Sequence, residues 1–285
     1  MDQPAPGPGN VPAIELNDGR SIPQLGFGVF QIKPAETVAA TSLALDIGYR
    51  HIDTAEMYGN EREVGEAIAK SGLDRADVFV TSKLDNGFHL PDDARRAFDA
   101  SLAALGFDYV DLFLIHWPLP TRYGGDFVST WATLEEFYRD GRARSIGVSN
   151  FQSNHLRRIE QECTVTPAVN QIEVHPYLTQ DQLRAVCAEQ QIAVEAWSPI
   201  GRGRVLDDPT IGEIAGRARK TPAQVVLRWH VQRGDIVFPR SVRPARIREN
   251  IAVFDFELSG DDMAAISALN RNERVGPDPD TFEGA

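Results

Sequence analysis

The sequence predicts an α/β protein, a (β/α)8 TIM barrel with an N-terminal β-hairpin and two extra helices. Three observations carry this expectation. Short β-rich runs alternate with helical patterns along a chain of 285 residues. Most successive strand starts lie about thirty residues apart, the size of one βαβ unit. Eight such units fill the ~250 residues that these barrels commonly use. A doubly wound sheet would need a glycine-rich phosphate turn after an early strand. Gly26-Phe27-Gly28 has Gln31 where a third glycine belongs, and Gly201-Arg202-Gly203 runs on into Leu206.

The elements follow in order. Residues 1–10 are rich in Pro and Gly and read as a flexible tail. Residues 11–285 read as one barrel domain ending in a C-terminal substrate loop. Val11–Leu16 and Arg20–Pro23 flank Asn17-Asp18-Gly19, a hairpin with an Asp-Gly turn. Strands are expected at 24–29, 49–52, 78–81, 110–115, 145–148, 168–172, 193–196 and 236–238. Helical spacing of apolar residues marks 36–47, 61–71, 92–105, 129–139, 152–161, 179–190 and 222–232. The extra helices are 208–219, between the seventh and eighth strands, and 259–269, which opens on the capping pattern Ser259-Gly260-Asp261-Asp262. From Asn270 the chain reads as a loop.

Charge and composition narrow the function. Lys plus Arg is 29 against 41 for Asp plus Glu, a net charge of −12. Such a surface repels phosphate backbones and anionic lipid, which argues against nucleic-acid and membrane partners. Cys163 and Cys187 make no disulfide framework and no metal-binding pair. No apolar run reaches the ~20 residues that span a bilayer, and the start lacks the basic and apolar regions of a signal peptide. The expectation is a cytoplasmic protein without metal, and a monomer, since no coiled-coil heptad occurs.

In a barrel the carboxyl ends of the strands converge on one mouth. Read in order, those positions hold Asp53 with Tyr58 just beyond it, Lys83, and His116. The fifth strand ends in Ser149-Asn150, the sixth passes through Gln171, and the seventh ends in Trp197-Ser198. A tyrosine is a poor acid, with a pKa of about 10. An ammonium beside it favours the phenolate, so Lys83 is expected to lower the Tyr58 pKa, with Asp53 fixing Lys83 by a charge-assisted bond. A neutral His116 can donate to a carbonyl oxygen. Taken singly, each of these residues reads as an ordinary structural group. Their joint placement at successive strand ends reads as a device that protonates an oxygen while hydride reaches its carbon. His51 and Asp53 share a strand face and invite a metal reading, but no metal-binding spacing supports it. His51 and Glu195 are expected to be hydrogen-bonded interior groups.

From Val11 onward the chain resembles the aldo-keto reductase family. The resemblance is carried by Gly48–Glu61, by Thr81–Leu84, by Leu112–Pro118, by Ile146–Phe151, by Asn170–Tyr177, by Ala196–Gly201, and by Phe238–Val242 with Arg246–Asn250. With Trp197 in the seventh-strand motif, it is most similar to the bacterial branch that includes 2,5-diketo-gluconate reductases. The resemblance implies reduction of aldehydes and ketones by NADPH, with a tetrad of Asp53, Tyr58, Lys83 and His116 and with Tyr58 as general acid. It implies that Ser149, Asn150 and Gln171 hold the carboxamide and that Trp197 stacks on the nicotinamide. Ser198, Ile200 and Gly201 would follow the pyrophosphate. Arg240, Ser241, Val242 and Arg246 would surround the 2′-phosphate, and Glu249 and Asn250 the adenine. Independently of that likeness, residues 238–248 form a basic, acid-free stretch before a helix, a suitable place for an anion.

Two departures stand out. The family's usual lysine before the serine of this motif is Arg240 here, which keeps the charge and offers a planar fork to phosphate. Where relatives often carry an aromatic after the catalytic lysine, this chain reads Leu84-Asp85-Asn86-Gly87-Phe88, so Asp85 is expected to make that side of the pocket more polar. Phe30, Met57, Trp117 and the segment beyond Asn270 would form its other walls. The competing readings are an NADPH-binding redox-sensing subunit with negligible turnover and an aldolase using Lys83 as a Schiff-base nucleophile.

Overall fold

The computed structural model describes residues 11–284; the predicted N-terminal tail, 1–10, lies outside the described residues. The chain opens with a hairpin of β1 (Ala13–Glu15) and β2 (Ser21–Pro23), paired antiparallel around the expected Asp-Gly turn. Eight parallel strands follow: β3 (Phe27–Gly28), β4 (His51–Asp53), β5 (Phe79–Leu84), β6 (Val110–Ile115), β7 (Ala143–Ser149), β8 (Val169–Glu173), β9 (Ala193–Trp197) and β10 (Ile236–Val237). Each pairs with its neighbour in chain order. The first and last meet through a parallel bridge, Leu25 to Val237, in which Val237 N–H donates to Gln24 O and Gly26 N–H to Val237 O. The arrangement is that of a (β/α)8 fold.

Helices α1 (Pro34–Ile47), α2 (Glu61–Lys70), α3 (Pro91–Leu105), α4 (Val128–Arg139), α5 (Ser153–Glu162) and α6 (Asp181–Glu189) occupy the crossovers between β3 and β9. Between β9 and β10 lie α7 (Pro209–Ala218) and α8 (Pro222–Gln232), and after β10 come α9 (Pro244–Ile251) and α10 (Gly260–Ser267). Proline opens α1, α3, α7, α8 and α9, where its missing N–H costs nothing and its fixed φ suits the first turn. The Ser259–Asp262 capping box starts α10 as the sequence predicts. Among the described residues, no helix is long and apolar enough to cross a membrane.

Two separate apolar clusters explain where the polar site must sit. The large one lies between strands and helices, with Phe98, Phe113, Trp131, Phe137 and Trp229 among its buried members. The small one joins Leu112, Leu114, Val169 and Ile236 to Leu16 and Ile22 of the hairpin. Residues of a strand alternate between faces, so the small cluster is the barrel's interior, and the hairpin plugs its amino end. Asn17 Nδ2 donating to Pro167 O (2.9 Å) and Ser145 Oγ donating to Asp18 (2.6 Å) hold the plug in place. Further along the inward faces, the apolar filling gives way to Lys83, Ser149, Gln171 and Glu195. The carboxyl half of the interior is polar.

Candidate active site

Lys83 is the hub of that half. It is the fifth residue of β5 rather than a residue beyond the strand, and its side chain is completely buried. Its Nζ donates to both Asp53 oxygens at 2.8 and 2.9 Å, to Thr54 O at 2.8 Å, and to the Tyr58 hydroxyl at 3.3 Å. An unpaired buried ammonium would be costly; this one is surrounded by acceptors. Burial alone would lower the Lys83 pKa, but Asp53 and Tyr58 outweigh it and hold the ammonium above its ordinary range. Burial raises the Asp53 carboxyl above its ordinary value, and Lys83 and Gln171 offset part of that rise. With both oxygens on one ammonium, the pair is ionised.

Tyr58 reaches Lys83 from a turn that the sequence makes rigid. Asn60 Nδ2 donates to Val29 O and Ile32 O, and its Oδ1 accepts from Thr54 Oγ1, all within 3.1 Å. Gly59 takes φ 65°, a left-handed conformation that favours glycine. The Tyr58 ring lies 4.9 Å from Phe30 and 5.8 Å from His116, edge-on to the latter. Lys83 does pull the phenol's pKa down as expected, but the net shift is upward. Burial is the larger effect, and Asp53 offsets the lysine's charge, so the phenol is pushed up to about 12. It is therefore fully protonated at neutral pH. His116 follows β6 directly; burial, with the Lys83 charge, lowers it well below its ordinary value, so the imidazole is neutral.

Beside this cluster stand the amide and hydroxyl groups. Ser149 Oγ donates to Gln171 O at 2.8 Å. Asn150 Nδ2 donates to His116 O and to Ser149 Oγ, and its Oδ1 accepts from Trp197 Nε1 at 2.8 Å. Gln171 Nε2 donates to Asp53 at 2.9 Å and to Glu195 at 2.7 Å. His51 is the interior group expected, bonded to Thr81 Oγ1 at 3.1 Å and lowered by burial to about 3. Glu195 is only half satisfied: its Oε1 has no hydrogen-bond partner. Among the described residues, no group of three or more His, Cys, Asp or Glu is arranged to hold a metal ion.

On the far side of the mouth, Ser198, Ile200 and Gly201 line the chain after β9, and Gly201 is packed against His175. Arg240, Val242 and Arg246 are exposed around the start of α9, and Ser241 accepts from Arg243 N–H at 3.1 Å. Among the described residues, none of Arg240, Arg243, Arg246 and Arg248 has a carboxylate partner; Arg240 touches only Gln31 O, at 3.4 Å. Glu249 is occupied by a 2.5 Å hydrogen bond from Thr221, and Asn250 is buried.

Phe30 and Met57 are exposed and Trp117 is buried. Asp85 folds back to accept from Gly87 N–H at 2.8 Å, so its carboxylate serves the turn. The C-terminal segment is more firmly placed than its composition suggests. Glu173 accepts from Val275 N–H (2.5 Å) and Gly276 N–H (3.0 Å), and Phe282 packs on Trp117 at 4.4 Å. A Cβ on Gly276 would come within 2.4 Å of the Trp197 ring, so only glycine permits this approach. Glu173, Phe282 and Glu195 were not predicted as site residues. The two-residue alternation along β8 and β9 places both glutamates in the interior, and a lone aromatic in a Pro/Gly-rich tail is the one signal for Phe282. Another concavity, between Glu15–Asn17 and Arg184, Gln191 and Arg233, lies by the hairpin and includes none of these groups.

Comparison with known proteins decides the family. A profile described as "Aldo/keto reductase family" matches residues 24–271. The chain belongs to the aldo/keto reductase family. An aldo-keto reductase of Mycolicibacterium smegmatis is 53% identical over 271 residues, covering 95% of this chain and 98% of that one. The crystal structure of an aldo/keto reductase from Brucella melitensis superposes with a TM-score of 0.88 at 51% identity, covering 92% of this chain and 98% of its own. That of a Bombyx mori aldo-keto reductase in complex with NADP does so with a TM-score of 0.88 at 39% identity, covering 94% and 95%. An oxidoreductase fold and family are thus in hand.

Proposed function

We propose that this aldo/keto reductase reduces aldehydes and ketones to alcohols with NADPH, Tyr58 acting as general acid. The observation that carries the reading is Lys83, which touches both Asp53 and the Tyr58 hydroxyl while a neutral His116 stands against the same phenol. A bound nicotinamide would supply hydride to the carbonyl carbon. The chain's own groups do the rest. His116 donates to the substrate oxygen and orients it, and Tyr58 gives that oxygen its proton as negative charge develops there. Lys83 stabilises the phenolate left behind, and Asp53 keeps Lys83 charged and in place. A phenol whose free pKa is near 12 holds its proton until an alkoxide-like oxygen demands it.

The residues present suit such a cofactor. Four arginines that have no carboxylate partner among the described residues, in a protein of net charge −12, flank the exposed first turn of α9. There they would hold the 2′-phosphate, with Arg240 and Arg246 foremost, Ser241 and Val242 beside them, and Glu249 and Asn250 toward the adenine. Ser149, Asn150 and Gln171 would take the carboxamide, Trp197 the nicotinamide face, and Ser198, Ile200 and Gly201 the pyrophosphate. The Bombyx mori relative's complex with NADP supports the same choice. We assign residues 11–285 to one barrel domain whose C-terminal segment, with Phe30, Met57 and Trp117, walls the substrate pocket. Trp197 in the seventh-strand motif supports a reading within the 2,5-diketo-gluconate reductase-like branch. A Lys83 held charged by Asp53 is a poor nucleophile, which disfavours a Schiff-base aldolase.

The test is steady-state NADPH oxidation against dicarbonyls, sugar-derived ketones and simple aldehydes, with NADH in parallel. Turnover with NADPH on one of these classes is expected. NADPH binding without turnover on any of them would turn the reading to a redox-sensing subunit.

A further inference from the structure

Beneath the tetrad lies a carboxyl group that the proposed reaction leaves unused. Glu195 sits on β9, two residues before Trp197, with its side chain completely buried. Its Oε2 accepts from Gln171 Nε2 at 2.7 Å, and the same nitrogen donates at 2.9 Å to Asp53 Oδ2. An amide nitrogen carries two protons, so both are committed. The orientation of the amide follows from charge: its oxygen in that position would face the ionised Asp53. Among the described residues nothing donates to the Gln171 amide oxygen, and unlike Glu195 Oε1 and His51 Nδ1 it is not sealed from solvent.

We propose that Glu195 is a positioning residue for the cofactor end of the site. By taking one Gln171 proton while Asp53 takes the other, it locks the amide with its oxygen as the only free polar atom, an acceptor matched to the carboxamide N–H of a nicotinamide. The inference rests on the reductase reading above. An apolar residue at 195 would leave one amide proton without a partner, and the side chain would be free to turn toward another acceptor.

Glu195 fills this role without placing a second anion beside Asp53. Burial, followed by the charge of Asp53, pushes its carboxyl up to about 8, so at pH 7 it is neutral and accepts as a carbonyl. His51 Nε2, 3.9 Å from Oε1, is bonded to Thr81 and is itself neutral. Asp53 thus remains the carboxylate that Lys83 touches, and the ion pair that serves Tyr58 is undisturbed.

The experiment compares NADPH dissociation constants by calorimetry in Glu195→Leu, Glu195→Gln and the wild type. Glu195→Leu is expected to weaken NADPH by about 10-fold, the scale of one buried amide proton left unpaired. Glu195→Gln keeps an acceptor oxygen and should restore affinity to within about two-fold. In a Gln171→Ala background, Glu195→Leu should cost nothing further, because the residue it acts through is gone. Unchanged affinity in Glu195→Leu, equal losses in the Leu and Gln variants, or an additive loss on Gln171→Ala would each overturn the inference. Should Glu195→Leu not fold, Glu195→Asp decides: it keeps the carboxyl but withdraws it by one methylene, and unchanged NADPH affinity there overturns the inference too. Failure of the wild type to bind NADPH at all removes the proposed function and this inference with it. Normal wild-type binding with an indifferent residue 195 removes this inference alone.

Discussion

Lys83 and Arg240 are both cations at carboxyl ends of barrel strands, and they are built in opposite ways. Lys83 is sealed from solvent and gives its protons to Asp53, Thr54 O and Tyr58. Arg240 is exposed and meets only one carbonyl, at the outer limit of a hydrogen bond. A group that takes part in proton transfer benefits from having its surroundings fixed before the substrate arrives, because no reorganisation is then needed at the moment of reaction. A group that recognises an anion benefits from the reverse. Left without an internal carboxylate, it spends nothing on breaking one when the phosphate binds. Mutations in the two regions should therefore fail differently: in chemistry and stability on one side, in affinity and cofactor choice on the other.

The largest effect is expected at Tyr58. Tyr58→Phe removes the proton donor and one long hydrogen bond of Lys83, while leaving the Asp53 pair and the packing on Phe30 in place. Reduction should fall by about 10²–10⁴-fold, the range for loss of a general acid, with NADPH affinity retained. Full activity in this variant, measured in the same carbonyl assay, would sink the mechanism.

Next is Lys83→Met, which strands a buried Asp53 without its cation. Breaking a buried pair by removing one partner costs about 3–5 kcal/mol, so thermal unfolding should shift downward as activity is lost. Adding Asp53→Asn to Lys83→Met should recover much of the stability and none of the activity. If the single variant melts like the wild type, the ion pair is not the stabilised unit described here.

These two regions were also unequally legible in the sequence. Alternation along strands and the rule that barrel strands point their carboxyl ends at one mouth were enough to gather Asp53, Tyr58, Lys83 and His116, which the structure brings into contact. The same periodicity gives the ring of eight strands, with boundaries off by at most three residues. What it could not give is balance between opposing fields. Lys83 beside Tyr58 reads as a lowered pKa until the burial of the phenol and the charge of Asp53 are seen to outweigh it. Nor could it give contacts between distant segments. Glu173 gripping the Val275 and Gly276 backbone, and the Phe282 ring on Trp117, join residues 100 or more positions apart with no pairing signal in the sequence. The turn that Asp85 closes on Gly87 is a further local contact that periodicity does not show.

On the exposed side, Arg240→Ala and Arg246→Ala should each weaken NADPH by about 10–100-fold, the equivalent of the ~1.5–3 kcal/mol of a hydrogen bond to a charged group. NADH, lacking the 2′-phosphate, should be nearly unaffected, and neither variant should lose stability. Equal losses for the two cofactors would show that these arginines sit elsewhere than the 2′-phosphate and would erase the contrast with Lys83.

The effect that is small at any one pH step is a pH dependence that belongs to the buried side alone. Glu195 has its carboxyl raised from an ordinary 4.5 to about 8, first by burial and then by Asp53. Between those two values the folded protein holds a proton that the unfolded chain has released, so stability must fall as pH rises through this window. One such proton contributes at most about 1.4 kcal/mol per pH unit, or roughly 2–4 °C in Tm for a chain of this size. Replacing the carboxyl by an amide in Glu195→Gln removes that proton from the balance. Calorimetric Tm values between pH 5 and 8 should therefore decline more steeply in the wild type than in the variant. The arginine variants, whose changes lie in solvent, should follow the wild-type curve. Parallel curves for Glu195→Gln and the wild type would mean that the buried carboxyl titrates near its ordinary value, and that the floor of the barrel is wetter than its packing implies.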